Sequence, residues 1–139
     1  MSEPKRAASA QSRKLGLVPG GSVALDDRPS GWALSDPPDG IVDAGADGPA
    51  DVVIGFVRTF AALEHRLPGL ADRIFPDGML WVAWPRRAAG HASDITDSRV
   101  RAVALPLGLV DTKIAALDED WSALRLVWRR ERRSAPPGR

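Results

Sequence analysis

Two unbroken apolar runs dominate the sequence, Asp51-Val52-Val53-Ile54-Gly55-Phe56-Val57 and Met79-Leu80-Trp81-Val82-Ala83-Trp84. Neither alternates apolar with polar residues, so neither reads as a strand with one face in water. Runs of this kind are buried on both faces, as in a parallel sheet covered by two outer layers. Both are rich in β-branched or aromatic residues, and Pro85 halts the second. A shorter run, Val23-Ala24-Leu25, marks a third strand over Ser22 to Asp26, after the turn-rich approach Leu15 to Gly21.

The remaining segments must then supply the cover. Thr59 reads as an N-cap for a helix whose Phe60, Leu63, Leu67, Leu70 and Ile74 recur at spacings of three and four. Pro68 lies inside that pattern and predicts a kink or split near Leu67. A second helix is expected from Asp94 or Thr96, with Val100, Val103, Ala104 and Leu107 on its buried face and Pro106 limiting its length. Ser93 and Asp94 are candidates to cap it. The Pro/Gly/Asp-rich stretch 27–50 leaves room for one helical turn around Trp32 to Leu34 and a short strand at Ile41 to Ala44. Leu109 to Leu117 and Trp121 to Arg130, joined by Asp118-Glu119-Asp120, read as a β-hairpin, because Leu124, Leu126 and Trp128 alternate with Arg125, Val127 and Arg129. Strand, loop, strand, helix, strand, helix and hairpin spell an α/β domain. The expected architecture is small, three-layered and Rossmann-like, a mostly parallel sheet with a C-terminal antiparallel β-hairpin. Residues 1–13 are expected to be a flexible N-terminal segment, 14–130 the single domain, and 131–139 a disordered basic tail.

Composition removes several functions. There is no cysteine, hence no disulfide framework, thiolate zinc site or Cys nucleophile. His65 and His91 are the only histidines, too few and too far apart for a zinc site without a full set of carboxylates, so no metal is expected. His91, Ser93 and Asp94 share one short loop, whereas Ser/His/Asp triads are assembled from separated segments, and no Gly-x-Ser-x-Gly elbow exists. No catalytic residue is therefore assigned. Net charge is +1, but it is distributed in blocks, a local −6 from Asp26 to Asp51 and +5 from Trp121 to the end. The terminal arginines lack interleaved aromatics, which argues for a solvated tail over nucleic-acid binding. No apolar stretch reaches the ~20 residues of a membrane span, and the polar Met1 to Lys14 lead into no secretory h-region. A cytoplasmic location with no membrane partner is the expectation.

Four blocks carry a resemblance: Lys14-Leu15-Gly16-Leu17-Val18-Pro19-Gly20, Asp51 to Val57, Trp81-Val82-Ala83-Trp84-Pro85-Arg86-Arg87 and Asp120-Trp121-Ser122-Ala123-Leu124-Arg125. In this order they resemble a bacterial domain-of-unknown-function family, number 3052, from about Lys14 to Arg130. That resemblance carries no activity with it. More distantly, Leu17-x-Pro19-Gly20-x-x-Val23, Ala50-Asp51-Val52-Val53, Phe75-Pro76-Asp77-Gly78-Met79-Leu80-Trp81-Val82 and the terminal hairpin are similar to the framework of class I S-adenosylmethionine (SAM)-dependent methyltransferases. In those enzymes a glycine-rich turn after the first strand lets the backbone approach the cofactor. The corresponding turn here is Asp26-Asp27-Arg28-Pro29-Ser30-Gly31, with one glycine, and Asp43 is the position matching the acidic ribose-binding residue.

Ligands of open parallel sheets bind beyond the carboxyl ends of the strands. The residues placed there are Asp26, Asp27 and Arg28, then Arg58 and Thr59, then Trp84, Arg86 and Arg87. Carboxylates, guanidiniums and an indole of this kind suit a small anionic or zwitterionic ligand. The leading expectation is a degenerate methyltransferase-like binding or interaction module without catalysis and without a cofactor. The alternative is an enzyme or sensor that binds SAM, another nucleotide-like molecule or a small anion at these strand ends. Trp81 and Trp84 lie three apart on one strand and face opposite sides of the sheet, one in the core and one at the cleft mouth. A hairpin edge around Trp121 to Trp128 is the expected surface for a homodimer or another protein partner.

Overall fold

The computed structural model describes residues 10–134. Its elements in chain order are α1 (Ala10–Leu15), β1 (Ser22–Asp26), β2 (Val42–Asp43), β3 (Val52–Phe56), α2 (Phe60–Arg73), β4 (Met79–Pro85), α3 (Asp97–Ala104), β5 (Leu109–Ala116) and β6 (Trp121–Trp128), with 3-10 turns at Arg87–Ala89, Leu105–Leu107 and Arg130–Arg132. The strands form one six-stranded sheet in the order β2-β1-β3-β4-β6-β5. The pairs β2–β1, β1–β3 and β3–β4 are parallel, and β4–β6 and β6–β5 are antiparallel. The sheet is thus mostly parallel with an antiparallel hairpin at one side, as the pattern predicts.

Every residue of β3 is buried, as is Leu80 to Trp84 of β4, which is why both lack alternation. On one face, Val53, Leu80, Val82, Trp84, Leu124, Leu126 and Trp128 pack against Leu63, Leu67 and Leu70 of α2 and Val100 and Ala104 of α3. On the other face, Ile54, Phe56, Trp81, Ala83 and Ala123 pack against Leu15 and Leu17, with Trp32, Leu34 and Ile41 from the connection after β1. The architecture is three-layered, but the second outer layer is α1 and an irregular loop.

Several expectations change. No helical turn forms around Trp32 to Leu34; a single hydrogen bond from Trp32 N to Pro29 O closes a turn, and the chain then runs irregularly. The indole is held from elsewhere, by Phe56 and Asp118, which leaves the local backbone no need to coil. The short strand shrinks to Val42–Asp43. Pro68 does not split α2, which runs continuously from Phe60 to Arg73. Pro68 and Gly69 lie on its exposed side, where water can take up the carbonyl a proline frees, while burial of Leu63, Leu67 and Leu70 offsets the lost bond.

Thr59 caps α2 as expected, its hydroxyl accepting from Ala62 N at 3.1 Å. Thr96 caps α3, accepting from Arg99 N. Asp94 does not cap the helix that follows it: its carboxylate accepts from Phe60 N at 2.9 Å and so serves the first turn of α2. Ser93 Oγ accepts from Ile95 N. Residues 10–13, expected in a flexible segment, belong to α1, where Ser12 is fully buried. Residues 131–134, expected in the tail, include part of a 3-10 turn, and Arg133 donates to Trp128 O at 3.0 Å. The rest of both terminal assignments lies outside the described residues. The hairpin edge also moves. β6 sits between β4 and β5, so Trp121 to Trp128 is an interior strand and β5 is the edge.

Candidate functional site

The chain leaves β1 for β2 on one side and returns to β3 on the other, so the sheet changes direction between β1 and β3. That is where ligands enter folds of this kind. Here the crevice holds two carboxylates and two guanidiniums joined by three ion pairs. Asp27 lies in the left-handed region at φ +54 and turns its carboxylate back to Arg58, whose Nη1 donates to Oδ2 at 2.9 Å. Arg58 also donates to Asp27 O from Nη1 and Nη2, at 3.4 and 3.3 Å. Arg66, nearly two turns into α2, pairs with Asp26, approaches Asp27 at 3.6 Å, and donates to Phe56 O at 2.7 Å. Desolvation by burial lowers the Arg66 pKa from its ordinary value.

The other expected site residues disperse. Arg28 is exposed, with no polar contact among the described residues. Thr59 is occupied as the α2 cap. Trp84 is 6 % exposed and packs in the core under α2 and α3, so both Trp81 and Trp84 are core residues, on opposite faces as the strand period requires. Arg86 donates to Asp118 O and Glu119 O at 3.3 and 3.2 Å, tying the end of β4 to the hairpin turn. Arg87 donates to Ser93 O at 2.7 and 3.2 Å and closes its own loop. Guanidiniums that look like ligand donors in the sequence are spent here on backbone carbonyls. Asp43 accepts from Gly45 N at 2.8 Å, an Asx-type turn.

The structure also joins residues that sequence spacing keeps apart. Antiparallel pairing of β4 with β6 sets Pro85 opposite Trp121, which brings the Asp118–Asp120 turn to the carboxyl end of the sheet. His91 Nε2 then meets Asp120 Oδ1 at 2.9 Å. Arg58 lies over the Trp121 ring at 5.5 Å, and Trp121 meets Phe56 edge-on at 5.1 Å. Together Arg58, Pro85, His91, Asp120 and Trp121 line a cleft of about 340 Å³. A hairpin expected to follow β4 was the available signal, since its turn has to fall at one end of the sheet; the end depends on pairing order. A larger concavity, about 560 Å³, lies at the amino ends of β1, β3 and β4, and its charged lining is Asp51 and Asp77. Asp51 there is spent on Ser22, with Asp51 Oδ2 accepting from Ser22 N and Asp51 N donating to Ser22 Oγ. Among the described residues no group of three or more His, Asp or Glu gathers as a metal site, and no helix is long and apolar enough to cross a membrane.

No family model matches the chain, so family 3052 gains no support from that comparison, and no curated protein matches. Among solved structures the chain is similar to magnesium protoporphyrin IX methyltransferase from Synechocystis PCC 6803 with bound SAM. Identity is 13% and the TM-score 0.39, over 70% of this chain and 49% of that one. The chain spans about half the length of that protein.

Proposed function

We propose that this chain is a non-catalytic binding module, an α/β domain of methyltransferase-like organisation whose nucleotide-type crevice is closed by its own ion pairs. The observation that carries the reading is the pairing of Asp26 with Arg66 and of Asp27 with Arg58 at the β1/β3 switch point. A dinucleotide- or SAM-type ligand needs three things there: a close backbone approach after the first strand, an open helix N-terminus and an uncommitted carboxylate for the ribose. The turn after β1 has Asp27, Arg28 and Pro29 where glycines would allow approach, and a loop replaces the following helix. At α2 the Phe60 and Ala62 amides are taken by Asp94 and Thr59. A carboxylate already sits on the positive end of that helix, which removes its attraction for a ligand anion.

Calorimetric titration with SAM and with S-adenosylhomocysteine tests this directly. No saturable heat is expected with either, up to about 1 mM, a weak-binding limit of roughly −4 kcal/mol. Saturable binding near micromolar, or transfer of a methyl group to any acceptor, would overturn the reading.

A further inference from the structure

We infer that the cleft between Arg58, His91, Asp120 and Trp121 is a binding site for a small zwitterion, an α-amino acid with an apolar side chain. The inference starts from what each polar group still offers. Asp27 holds Arg58 through its Nη1 and Nη2 donors, which fixes the guanidinium over the Trp121 ring. Nη2 spends one hydrogen on Asp27 O, while its second hydrogen and Nε–H have no partner among the described residues, and these two parallel N–H donors match a carboxylate. Among the described residues the Asp120 carboxylate is engaged only through Oδ1, on His91, which leaves Oδ2 to accept from an ammonium group. Its backbone is pinned as well, because Asp120 N donates to Asp118 Oδ1 at 2.8 Å and Asp120 O accepts from Arg86 N at 2.8 Å.

Charge and size select the ligand. The cleft pairs one cation with one anion, so a simple carboxylate would face Asp120 and a simple amine would face Arg58. A zwitterion satisfies both. Pro85 and Trp121 supply an apolar floor for its side chain, and about 340 Å³ lies at the small end of the range for ligand sites. His91 is a positioning residue here, fixing the Asp120 carboxylate from its other oxygen. The site shares Arg58 with the Asp27 pair at the β1 turn and so rests on that pair staying closed; saturable SAM binding would overturn the preceding reading, whereas silence of the amino acids with the pair intact would overturn this one alone.

Titration of the full chain with L-phenylalanine, L-leucine and L-methionine, followed by calorimetry and tryptophan fluorescence, tests the site. Saturable binding of at least one, with Kd between about 10 μM and 1 mM, is expected for a ligand of this size. 3-Phenylpropanoate and 2-phenylethylamine, which each keep one charge, should bind at least tenfold more weakly than L-phenylalanine where that is the ligand bound; for leucine and methionine the matching one-charge probes are 4-methylpentanoate and isoamylamine, and 4-(methylthio)butanoate and 3-(methylthio)propylamine. Asp120→Asn and Arg58→Lys should each weaken binding about tenfold or more, the lysine variant keeping the charge but losing the two-donor edge. Arg28→Gln should leave it unchanged. No saturation by any of the three amino acids at 10 mM, about −3 kcal/mol, would overturn the inference. So would equal binding of the one-charge probes, which would make this a simple anion or cation site.

Discussion

Helices α2 and α3 close one face of the sheet, whereas α1 and the loop after β1 close the other, and the two layers are held by different kinds of contact. The helical layer is built from apolar residues repeated along each helix, Leu63, Leu67 and Leu70 on α2 and Val100 and Ala104 on α3. It sits close to the sheet: a Cβ at Gly55 of β3 would meet Leu70 Cδ1 at 2.7 Å. The opposite layer has few repeats and instead uses single anchors. Trp32 stacks edge-on against Phe56 at 5.0 Å and donates to Asp118 Oδ2 at 2.8 Å. Gln11 accepts from Ser35 N at 2.7 Å, Lys14 reaches Ala116 O at 3.1 Å, and Trp81 Nε1 donates to Leu15 O at 3.0 Å. A layer of repeats shares the loss of any one contact, while a layer of anchors detaches where an anchor is cut.

The sharpest way to break this contrast begins with the largest expected effect. Leu67→Ala, at a fully buried position of α2, should lower global stability by about 2–5 kcal/mol through lost burial and the cavity left behind. Urea unfolding should stay a single transition with an unchanged slope. If the slope fell, or α2 melted ahead of the sheet, the helical layer would not be cooperative with it.

Trp32→Ala should cost less globally, about 2 kcal/mol, since the indole is half-buried. Its signature is local. Amide exchange should accelerate through residues 28–41 while Ile54 and Val82 keep their protection, because those strands are paired on both sides. Uniform loss of protection across the sheet would mean that the loop is as integral as the helices, and the contrast would fail.

The same contrast divides what the sequence reveals from what it hides. The burial of β3 and β4, the α2 stripe with its Thr59 cap and the alternation of β6 are local patterns, so periodicity and capping chemistry are enough to find them. The loop layer is illegible because Trp32 acts on Phe56 and Asp118, 24 and 86 residues away, and no local signal carries those distances. Site residues divide likewise. Position at strand ends is legible and places Arg58, Arg86 and Arg87 correctly in the chain. Whether the Arg86 guanidinium faces a ligand or a backbone carbonyl depends on where the hairpin turn lands, and that is a matter of strand order. Edge protection follows the same logic. β5 carries Lys113 and an irregular register between Asp111 and Lys113, which blunts the row of unpaired groups that an edge strand offers to a second copy.

The smallest effect concerns how α3 is fastened to that edge. Arg101 donates to Asp97 Oδ2 at 2.7 Å and to Asp111 Oδ2 at 2.9 Å, linking the helical layer to β5. The hydrogen bond from Arg101 is the main cause that holds the Asp111 carboxyl below its ordinary range, and burial opposes it. A carboxyl whose folded pKa is depressed adds stability that is complete above its unfolded value, about 4, and is lost as pH falls through the folded value. Asp111→Asn should therefore lower Tm slightly at pH 7, and the gap between variant and parent should close as pH drops below about 4. Parallel Tm curves down to pH 2.5 would show that this ion pair adds nothing to the fold. A gap that closes, with exchange first quickening in α3 and β5 and later in the Trp32 loop, would show that acid loosens the helical layer at its Arg101–Asp111 fastening before it reaches the anchored one.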